Sequence, residues 1–229
     1  MLQKLREQVC EANKALVRHG LVIMTWGNVS GIDRASGMVV IKPSGVPYEQ
    51  LTPDNMVVVS LDGVRREGSL TPSSDLPTHL ELYRAFPGAG GITHTHSACA
   101  TSFAQARRAL PCYGTTHADH FYGEVPCTRL LTTAEVVADY ELNTGKVIVE
   151  TFRARDALAV PAVLVAGHGP FTWGVTAEAS VHNSVALEAC SRMALDTLAL
   201  DASAAPLPAC ILDRHYHRKH GPAATYGQR

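Results

Sequence analysis

Residues 91–107, GITHTHSACATSFAQAR, contain the pattern from which the rest of the chain can be interpreted. The first six residues are typical of a buried strand, and the small residues after them predict a helix over about 97–107. Alternate side chains of a strand share one face, so His94 and His96 are predicted to project to the same side. Taken alone, the pair leaves two interpretations open: a metal site, or one buried, hydrogen-bonded histidine beside an exposed one.

Apolar periodicity on either side predicts alternating helices and strands. Helices are predicted over residues 2–18, 78–86, 133–142, 177–200 and 208–220. Strands are predicted over residues 21–24, 38–42, 56–61, 113–117, 146–152 and 161–166. This order favours an α/β fold of three layers (α/β/α), with a central, mainly antiparallel sheet flanked by helices. No linker divides the chain, so we expect a single domain over residues 1–229. A doubly wound nucleotide-binding fold is disfavoured because G-x-G-x-x-G and G-x-x-x-x-G-K-[ST] are absent.

Composition excludes several classes of protein. The chain has 229 residues, of which 46% are hydrophobic and 18% charged, with a net charge of −1. Such a chain can bury a sizeable core, and it has no basic field for a nucleic acid or an acidic membrane surface. The longest apolar stretch, residues 157–166, is too short to span a bilayer. Six cysteines without a C-x-x-C pair favour reduced thiols, and the N-terminus lacks a leader pattern, so we expect a cytoplasmic protein.

Two further residues strengthen the metal interpretation. His168 ends a buried-looking strand between two glycines, and Asp75 lies in a loop before a predicted helix, where it can equally be a cap. With His94 and His96 they offer three nitrogens and one oxygen. Imidazole-rich ligation favours zinc, or another divalent transition metal such as manganese or cobalt, over magnesium or calcium. Because cysteine ligands are absent, such a site is expected to be catalytic.

Three polar turns are candidates for binding an anion. They are GNVS (27–30), KPSG (42–45) and Ser73-Ser74, which together offer hydroxyls, backbone N–H groups and Lys42. Each alone is equally well explained as an ordinary turn, because Gly, Ser and Asn fill turns for conformational reasons. Since Ser73 and Ser74 precede Asp75, an anion bound there would lie close to the metal.

Motifs along the whole chain resemble those of one family, the L-ribulose-5-phosphate 4-epimerases of the class II aldolase/adducin superfamily. They are TWGNVSGID (25–33), VIKPSGV (40–46), PSSDLPTH (72–79), GITHTHS (91–97), GTTHADHFYGEVPCTR (114–129), VIVETF (147–152), GHGPFTWG (167–174) and a tail with HYHRKHG (215–221) and TYGQ (225–228). The resemblance implies a homotetramer of fourfold symmetry with active sites between subunits. It implies a phosphosugar substrate and neither a nucleic-acid nor a membrane partner.

The resemblance also implies roles for individual residues. The zinc ligands are expected to be Asp75, His94, His96 and His168. The phosphate pocket is expected to comprise Asn28, Lys42, Ser44, Gly45, Ser73 and Ser74. Asp119 and Tyr226, the latter from the tail of an adjacent subunit, are expected to be the catalytic acid/base pair. Glu141 and His215 are weaker assignments, equally compatible with structural roles.

The implied reaction is inversion at C4 of a pentulose 5-phosphate by retro-aldol cleavage of C3–C4 through a metal-bound enediolate, followed by rotation and re-addition. An aldolase that releases its fragments, similar to fuculose-phosphate aldolases, is the nearest alternative. Aspartate at position 75, where those aldolases carry glutamate, favours the epimerases. A non-catalytic oligomerisation domain, as in adducins, is disfavoured by the retained ligands. The sequence does not distinguish arabinose from ascorbate catabolism.

Overall fold

The computed structural model describes residues 2–221 and 224–226, and within them the chain forms one seven-stranded sheet and seven α-helices. The helices are α1 Leu2–Arg18, α2 Leu76–Ala85, α3 Ala98–Gln105, α4 Thr115–Ala118, α5 Thr133–Thr151, α6 Ala177–Leu200 and α7 Ala209–Lys219. The strands are β1 Asn28–Asp33, β2 Met38–Ile41, β3 Val57–Ser60, β4 Arg65–Glu67, β5 Gly91–His94, β6 Ala162–Leu164 and β7 Pro170–Gly174. Their order across the sheet is β4-β3-β2-β1-β5-β7-β6, and neighbouring strands are antiparallel.

Helices cover both faces of the sheet, which confirms the predicted three-layer arrangement. Alternate strand residues enter different cores: Val40 and Val58 pack towards α1, whereas Val39 and Val57 pack in the core that includes α2 and α5. This alternation is the period-two pattern expected of a sheet buried on both sides. None of the helices in the described residues is long and apolar enough to cross a membrane.

The centre of the sheet brings three strand ends to one edge. In the register of β1 and β5, Asn28 lies opposite His94, and in that of β5 and β7, His94 lies opposite Phe171. The last residue of β5 is therefore flanked by the beginnings of β1 and β7. Lys42 follows directly after β2, the other neighbour of β1, so it reaches the same edge.

Three strand predictions were wrong. Residues 21–24 form an irregular loop, residues 113–117 include the short helix α4, and residues 146–152 belong mostly to α5. The run VIVET in α5 has high strand propensity, but Val147 and Ile148 are buried in a helix that packs along α2. Tertiary packing therefore overrides local propensity here.

Three strands were missed: β1 and β4 because their composition is poor for strands, and β7 because Pro and Gly bound its three strand-forming residues. β1 has the sequence NVSGID, β4 is the fully exposed RRE, and β7 begins at Pro170. β1 is nevertheless central, because it exchanges hydrogen bonds with both β2 and β5. The predicted helices over 177–200 and 208–220 are confirmed by α6 and α7. Gly227 and Gln228 of the tail motif lie outside the described residues.

Candidate active site

Three imidazoles meet at the sheet edge where β5 ends and β7 begins. The ligating nitrogens of His94, His96 and His168 all lie within 4.8 Å of one another. His94 is the last residue of β5, and His96 lies beyond the strand, which ends two residues earlier than predicted. The predicted convergence of the two side chains nevertheless holds, because their Nε2 atoms are 3.1 Å apart.

Hydrogen bonding fixes the orientation of His94. Its Nδ1 lies 2.9 Å from the carbonyl oxygen of Pro170, which can only accept, so Nδ1 carries the proton. In the neutral imidazole this leaves the lone pair on Nε2, which faces the Nε2 of His96. The His94 ring also stacks on Phe171 with centroids 4.1 Å apart. Two nitrogens directed at one space, with a third imidazole nearby, have the donor set and spacing of a divalent-metal site.

The loop before β7 delivers His168 to this cluster through a tight turn. The backbone N–H of Val165 donates to Gly169, and that of His168 donates to Val165. A Cβ atom at Gly169 would lie 2.8 Å from the backbone oxygen of Thr95 and close to the rings of His94 and His96. Glycine is required there because the loop and the strand end approach so closely.

The protonation of these histidines suits metal binding. Burial, followed by the neighbouring His94 and His96, lowers the pKa of His168 to about 3. Burial also lowers the pKa of His96, with a smaller contribution from His94. Both imidazoles are therefore neutral near pH 7, and the neutral ring is the form that ligates a metal.

Asp75 lies beside the three histidines, at the N-terminal end of α2. Its Oδ2 accepts a hydrogen bond of 2.6 Å from Asn28 Nδ2, and the residue lines the same pocket as the histidines. Burial raises the pKa of Asp75, but His94, His79, the hydrogen bond from Asn28 and His168 together lower it by more, so the net shift is downward. Among the described residues, only the three histidines have ligand atoms that all lie within 4.8 Å of one another. Asp75 therefore borders this cluster.

The predicted phosphate residues lie on two adjacent loops. Ser44 N donates to Thr71 O and Ser73 N donates to Lys42 O, which holds residues 42–45 against residues 71–74. Asn28 Nδ2 is 3.0 Å from Ser73 Oγ, so this loop pair is joined to β1. Ser74 lines the histidine pocket, whereas Gly45 is exposed in a turn with φ of +67°.

Lys42 is unusual within this group. Its side chain is only 2% exposed, and within residues 2–221 and 224–226 it makes no ion pair with a carboxylate. Its Nζ is 3.3 Å from Pro43 O and 4.9 Å from the centre of the Tyr48 ring. Burial lowers the pKa of Lys42 to about 8. Buried charges are normally paired, so an unpaired lysine here points to an anionic ligand.

The histidine pocket has a volume of about 470 Å³ and includes residues that the sequence did not indicate. Trp26 forms one wall, and the hydroxyl of Tyr140 lies 3.4 Å from His168 Nδ1. Asp139 has extended backbone inside α5, which separates the helix into two pieces and brings Tyr140 and Glu141 to the pocket. The sequence predicted a helix up to residue 142, and nothing in it signalled this kink.

Asp119 and Tyr226 lie elsewhere in the same chain. Neither lines the histidine pocket among the described residues. Asp119 lies at the end of α4, where it contacts His215, Arg218 and Lys219 of α7. Tyr226 is 65% exposed, and its ring lies over Lys219 Nζ at 4.4 Å. His215 is thus a partner of Asp119, and Glu141 is a residue of the histidine pocket.

Comparison with known proteins places the chain in a family. The model of the class II aldolase and adducin N-terminal domain matches residues 7–195. Two curated relatives, from Salmonella paratyphi B and Salmonella typhi, are 52% identical over all of this chain and all of their own length, and both are named L-ribulose-5-phosphate 4-epimerase UlaF.

Solved structures show the same fold at lower identity. An L-fuculose 1-phosphate aldolase superposes with a TM-score of 0.80 and 24% identity, covering 94% of this chain and 95% of that one. The histidine cluster, the antiparallel sheet that carries it and the family match over most of the chain lead to one conclusion. This chain belongs to the class II aldolase/adducin family.

Proposed function

We propose that this chain is an L-ribulose-5-phosphate 4-epimerase, an isomerase that interconverts L-ribulose 5-phosphate and D-xylulose 5-phosphate. The observation that carries the proposal is the convergence of His94, His96 and His168 on the sheet edge that also holds buried, unpaired Lys42. One pocket edge thus offers a cation site beside an anion site, as a ketose phosphate requires. The full-length relatives at 52% identity carry this name, so neither the aldolase nor the adducin-like alternative is proposed.

The chemistry follows from the position of the inverted carbon. The hydrogen on C4 is not α to the C2 carbonyl, so a carbanion at C4 would gain no stabilisation from it. Cleavage of C3–C4 avoids this difficulty, since the electrons of the broken bond pass towards the carbonyl. A divalent metal held by the three histidines beside Asp75, zinc in our proposal, would supply Lewis-acid stabilisation of that negative charge.

In the proposed reaction the phosphate pocket retains the aldehyde fragment, which must rotate before the bond forms again. Asn28 is hydrogen-bonded to Ser73, and the backbone of Ser73 is hydrogen-bonded to that of Lys42. Ser44, Gly45 and Ser74 lie on the same two loops. In the proposed reaction these groups bind the C5 phosphate and hold the two-carbon aldehyde phosphate after cleavage. Rotation of the held aldehyde, followed by re-addition, then inverts C4.

Asp119 and Tyr226 are the proposed proton-transfer groups, which remove and return the proton of the C4 hydroxyl on the two faces of the aldehyde. Both lie outside the histidine pocket of their own chain, and both contact Arg218 and Lys219. We propose that they reach a histidine pocket together and that this pocket belongs to a neighbouring subunit of a homotetramer. Exposed apolar side chains near the pocket, among them Ile23, Met24 and Trp26, support a contact surface there.

We also propose that the enzyme is cytoplasmic. All six cysteines are free thiols. Free thiols persist in reducing compartments, and none of these six is needed for the proposed chemistry.

The direct test is conversion by the zinc-loaded protein. L-ribulose 5-phosphate is supplied, and D-xylulose 5-phosphate is followed by a coupled assay in treated and untreated samples. A chelator and the His96→Asn variant are each expected to abolish conversion, whereas His182→Asn, an exposed histidine on α6, serves as the matched control. Absence of conversion by folded, metal-containing protein would refute the proposal, and accumulation of free glycolaldehyde phosphate would indicate an aldolase.

A further inference from the structure

We propose that Arg218 is a positioning residue that holds both proton-transfer groups, Asp119 and Tyr226, in one cluster. The proposal rests on the function proposed above, because it assigns a task in that reaction. Arg218 is the penultimate residue of α7, and none of the sequence motifs singled it out as functional. Its side chain and its backbone contact different members of the pair.

The side chain of Arg218 grips Asp119 through two parallel hydrogen bonds. Nε donates to Oδ1 at 3.1 Å and Nη2 donates to Oδ2 at 2.7 Å. A planar guanidinium that meets a carboxylate in this way fixes its orientation as well as its charge. The Asp119 side chain is only 12% exposed, whereas that of Arg218 is 38% exposed, so the carboxylate is the shielded partner of the pair.

The backbone of Arg218 holds the tail that carries Tyr226. Its carbonyl oxygen accepts hydrogen bonds from Thr225 N at 2.8 Å and from Tyr226 N at 3.0 Å. The guanidinium carbon lies 5.4 Å from the centre of the Tyr226 ring, within the range of a cation–π contact. The tail thus folds back over Arg218, and this one residue contacts both Asp119 and Tyr226.

Other charged or titratable groups surround Asp119, and they define what Arg218 adds. From α7 and the residue after it, His215 Nδ1 lies 3.1 Å from Oδ1, Lys219 Nζ lies 3.4 Å from Oδ2, and His220 Nε2 donates to the backbone oxygen. His120 is adjacent in sequence. Arg218 alone contacts both carboxylate oxygens among these groups, so its loss removes the paired, planar contact and leaves each oxygen with one partner, His215 or Lys219.

The cluster also fixes the protonation state of Asp119. Burial raises the pKa of Asp119, but hydrogen bonds from Arg218 and His215 and the charge of Lys219 lower it to about 2. Asp119 is therefore a carboxylate throughout the physiological range, ready to accept a proton. Removal of Arg218 is expected to raise this pKa, because the largest of the hydrogen-bond contributions that lower it is lost.

The test compares Arg218→Ala and Arg218→Lys with Arg214→Ala, a matched control. Arg214 is exposed and lies one turn earlier on the same helix. We expect Arg218→Ala to lower kcat about 10²-fold with little change in KM, because a displaced catalytic group costs rate rather than binding. Arg218→Lys keeps the charge but not the paired contact, so a smaller loss is expected. Added guanidinium should restore part of the kcat of Arg218→Ala, which it would not do if the loss were merely structural.

Each result decides the matter. A kcat of Arg218→Ala equal to that of Arg214→Ala, or a loss confined to KM, would overturn the positioning role. The carboxyl carbon of Asp119, followed by NMR, should titrate at higher pH in Arg218→Ala than in the unchanged protein, and an unchanged titration would count against the proposal. If Arg218→Ala does not fold, Arg218→Lys carries the same kinetic and NMR tests. An unchanged protein that fails to convert the substrate would instead sink the proposed function.

Discussion

The histidine pocket and the cluster around Asp119 are built in opposite ways. The pocket lies at the central edge of the sheet, where β1, β5 and β7 fix Asn28, His94 and the loop of His168 through paired strands. The cluster around Asp119 joins the short helix α4 to α7 and the tail, and Tyr226 is 65% exposed. The groups proposed to bind a metal and a phosphate thus lie on paired strands and the loops beside them. The groups proposed to transfer protons lie at the periphery, where the proposed neighbouring subunit would contact them.

Placing the defects of the two regions on different chains gives the largest expected effect. Asp119→Asn should lower kcat by about 10²–10⁴-fold, since it removes a proposed proton-transfer group, and His96→Asn should abolish turnover, since it removes a proposed metal ligand. If one subunit supplies the pocket and another supplies Asp119, co-assembly of the two inactive variants restores complete sites in part of the tetramers. Steady-state turnover of the mixture, compared with each variant alone, measures this directly.

The contradicting result of that experiment is clear. If both regions acted within one chain, every chain in the mixture would carry a defect, and no activity would return. A mixture of two Asp119→Asn preparations is the control for nonspecific recovery. Size-exclusion chromatography must show that the mixed subunits have assembled.

Lys42 tests the binding half of the comparison. Lys42→Met removes the buried ammonium but keeps most of the volume, so the core around it is preserved. We expect KM for L-ribulose 5-phosphate to rise about 10- to 10²-fold, the loss of one charge-assisted hydrogen bond, with a smaller effect on kcat. Initial rates over a range of substrate concentrations measure both constants. A fall in kcat at unchanged KM would place Lys42 among the groups that act on the reacting carbons instead.

The sequence predicted the class of fold and the meeting of His94 with His96, but not the identity of every strand. Short-range spacing placed His94 and His96 together, because the distance between them is set locally by the chain. The strands around the two histidines were harder to predict. β1 has the sequence NVSGID, and it is a strand because it pairs with β2 and β5, not because its residues favour strands. The kink at Asp139, which turns Tyr140 towards His168, is likewise a long-range effect, since Thr78 of α2 donates a hydrogen bond to the Glu141 carbonyl.

The partners of Asp119 could not be predicted from spacing. His215, Arg218 and Lys219 are about a hundred positions away in the sequence, and α4 meets α7 only in the folded chain. The resemblance to a known family identified Asp119 and Tyr226, but the contact that joins them through Arg218 is a property of the three-dimensional structure. The last turn of α7 contains His217, Arg218 and Lys219, and their spacing alone does not indicate which of them contacts Asp119.

The pH dependence of the free energy of unfolding tests the peripheral region through His117 of α4. Burial lowers its pKa to about 4, below the ordinary value of 6.5, although its hydrogen bond to Gly123 O opposes the shift. The unfolded chain therefore binds a proton first as pH falls, so the stabilising contribution is complete above about pH 6.5 and is lost on the way down to about pH 4. For a group buried to this extent, the loss between pH 7 and pH 5 is about 2 kcal/mol.

Urea unfolding at pH 7 and pH 5, at one fixed protein concentration, measures this effect. His117→Gln keeps a donor for Gly123 but cannot titrate, so its stability should depend less on pH by about the same amount. The exposed His182→Gln variant is the control, and its pH dependence should match that of the unchanged protein. An equal slope in His117→Gln and the unchanged protein would show that other groups cause the loss.

Replacement of Tyr140 is expected to have the smallest effect, and it tests whether the histidine pocket only binds or also transfers protons. Its hydroxyl lies 3.4 Å from His168 Nδ1, a long contact, and the ring covers part of the pocket. A partner that orients a metal-binding imidazole contributes about 10- to 10²-fold in affinity when the bond is good, so Tyr140→Phe should weaken zinc binding about tenfold. Competition with a chromophoric chelator measures that affinity without substrate. If zinc affinity is unchanged while kcat falls, the Tyr140 hydroxyl acts on the substrate, and the sheet edge then contributes to proton transfer as well as to binding.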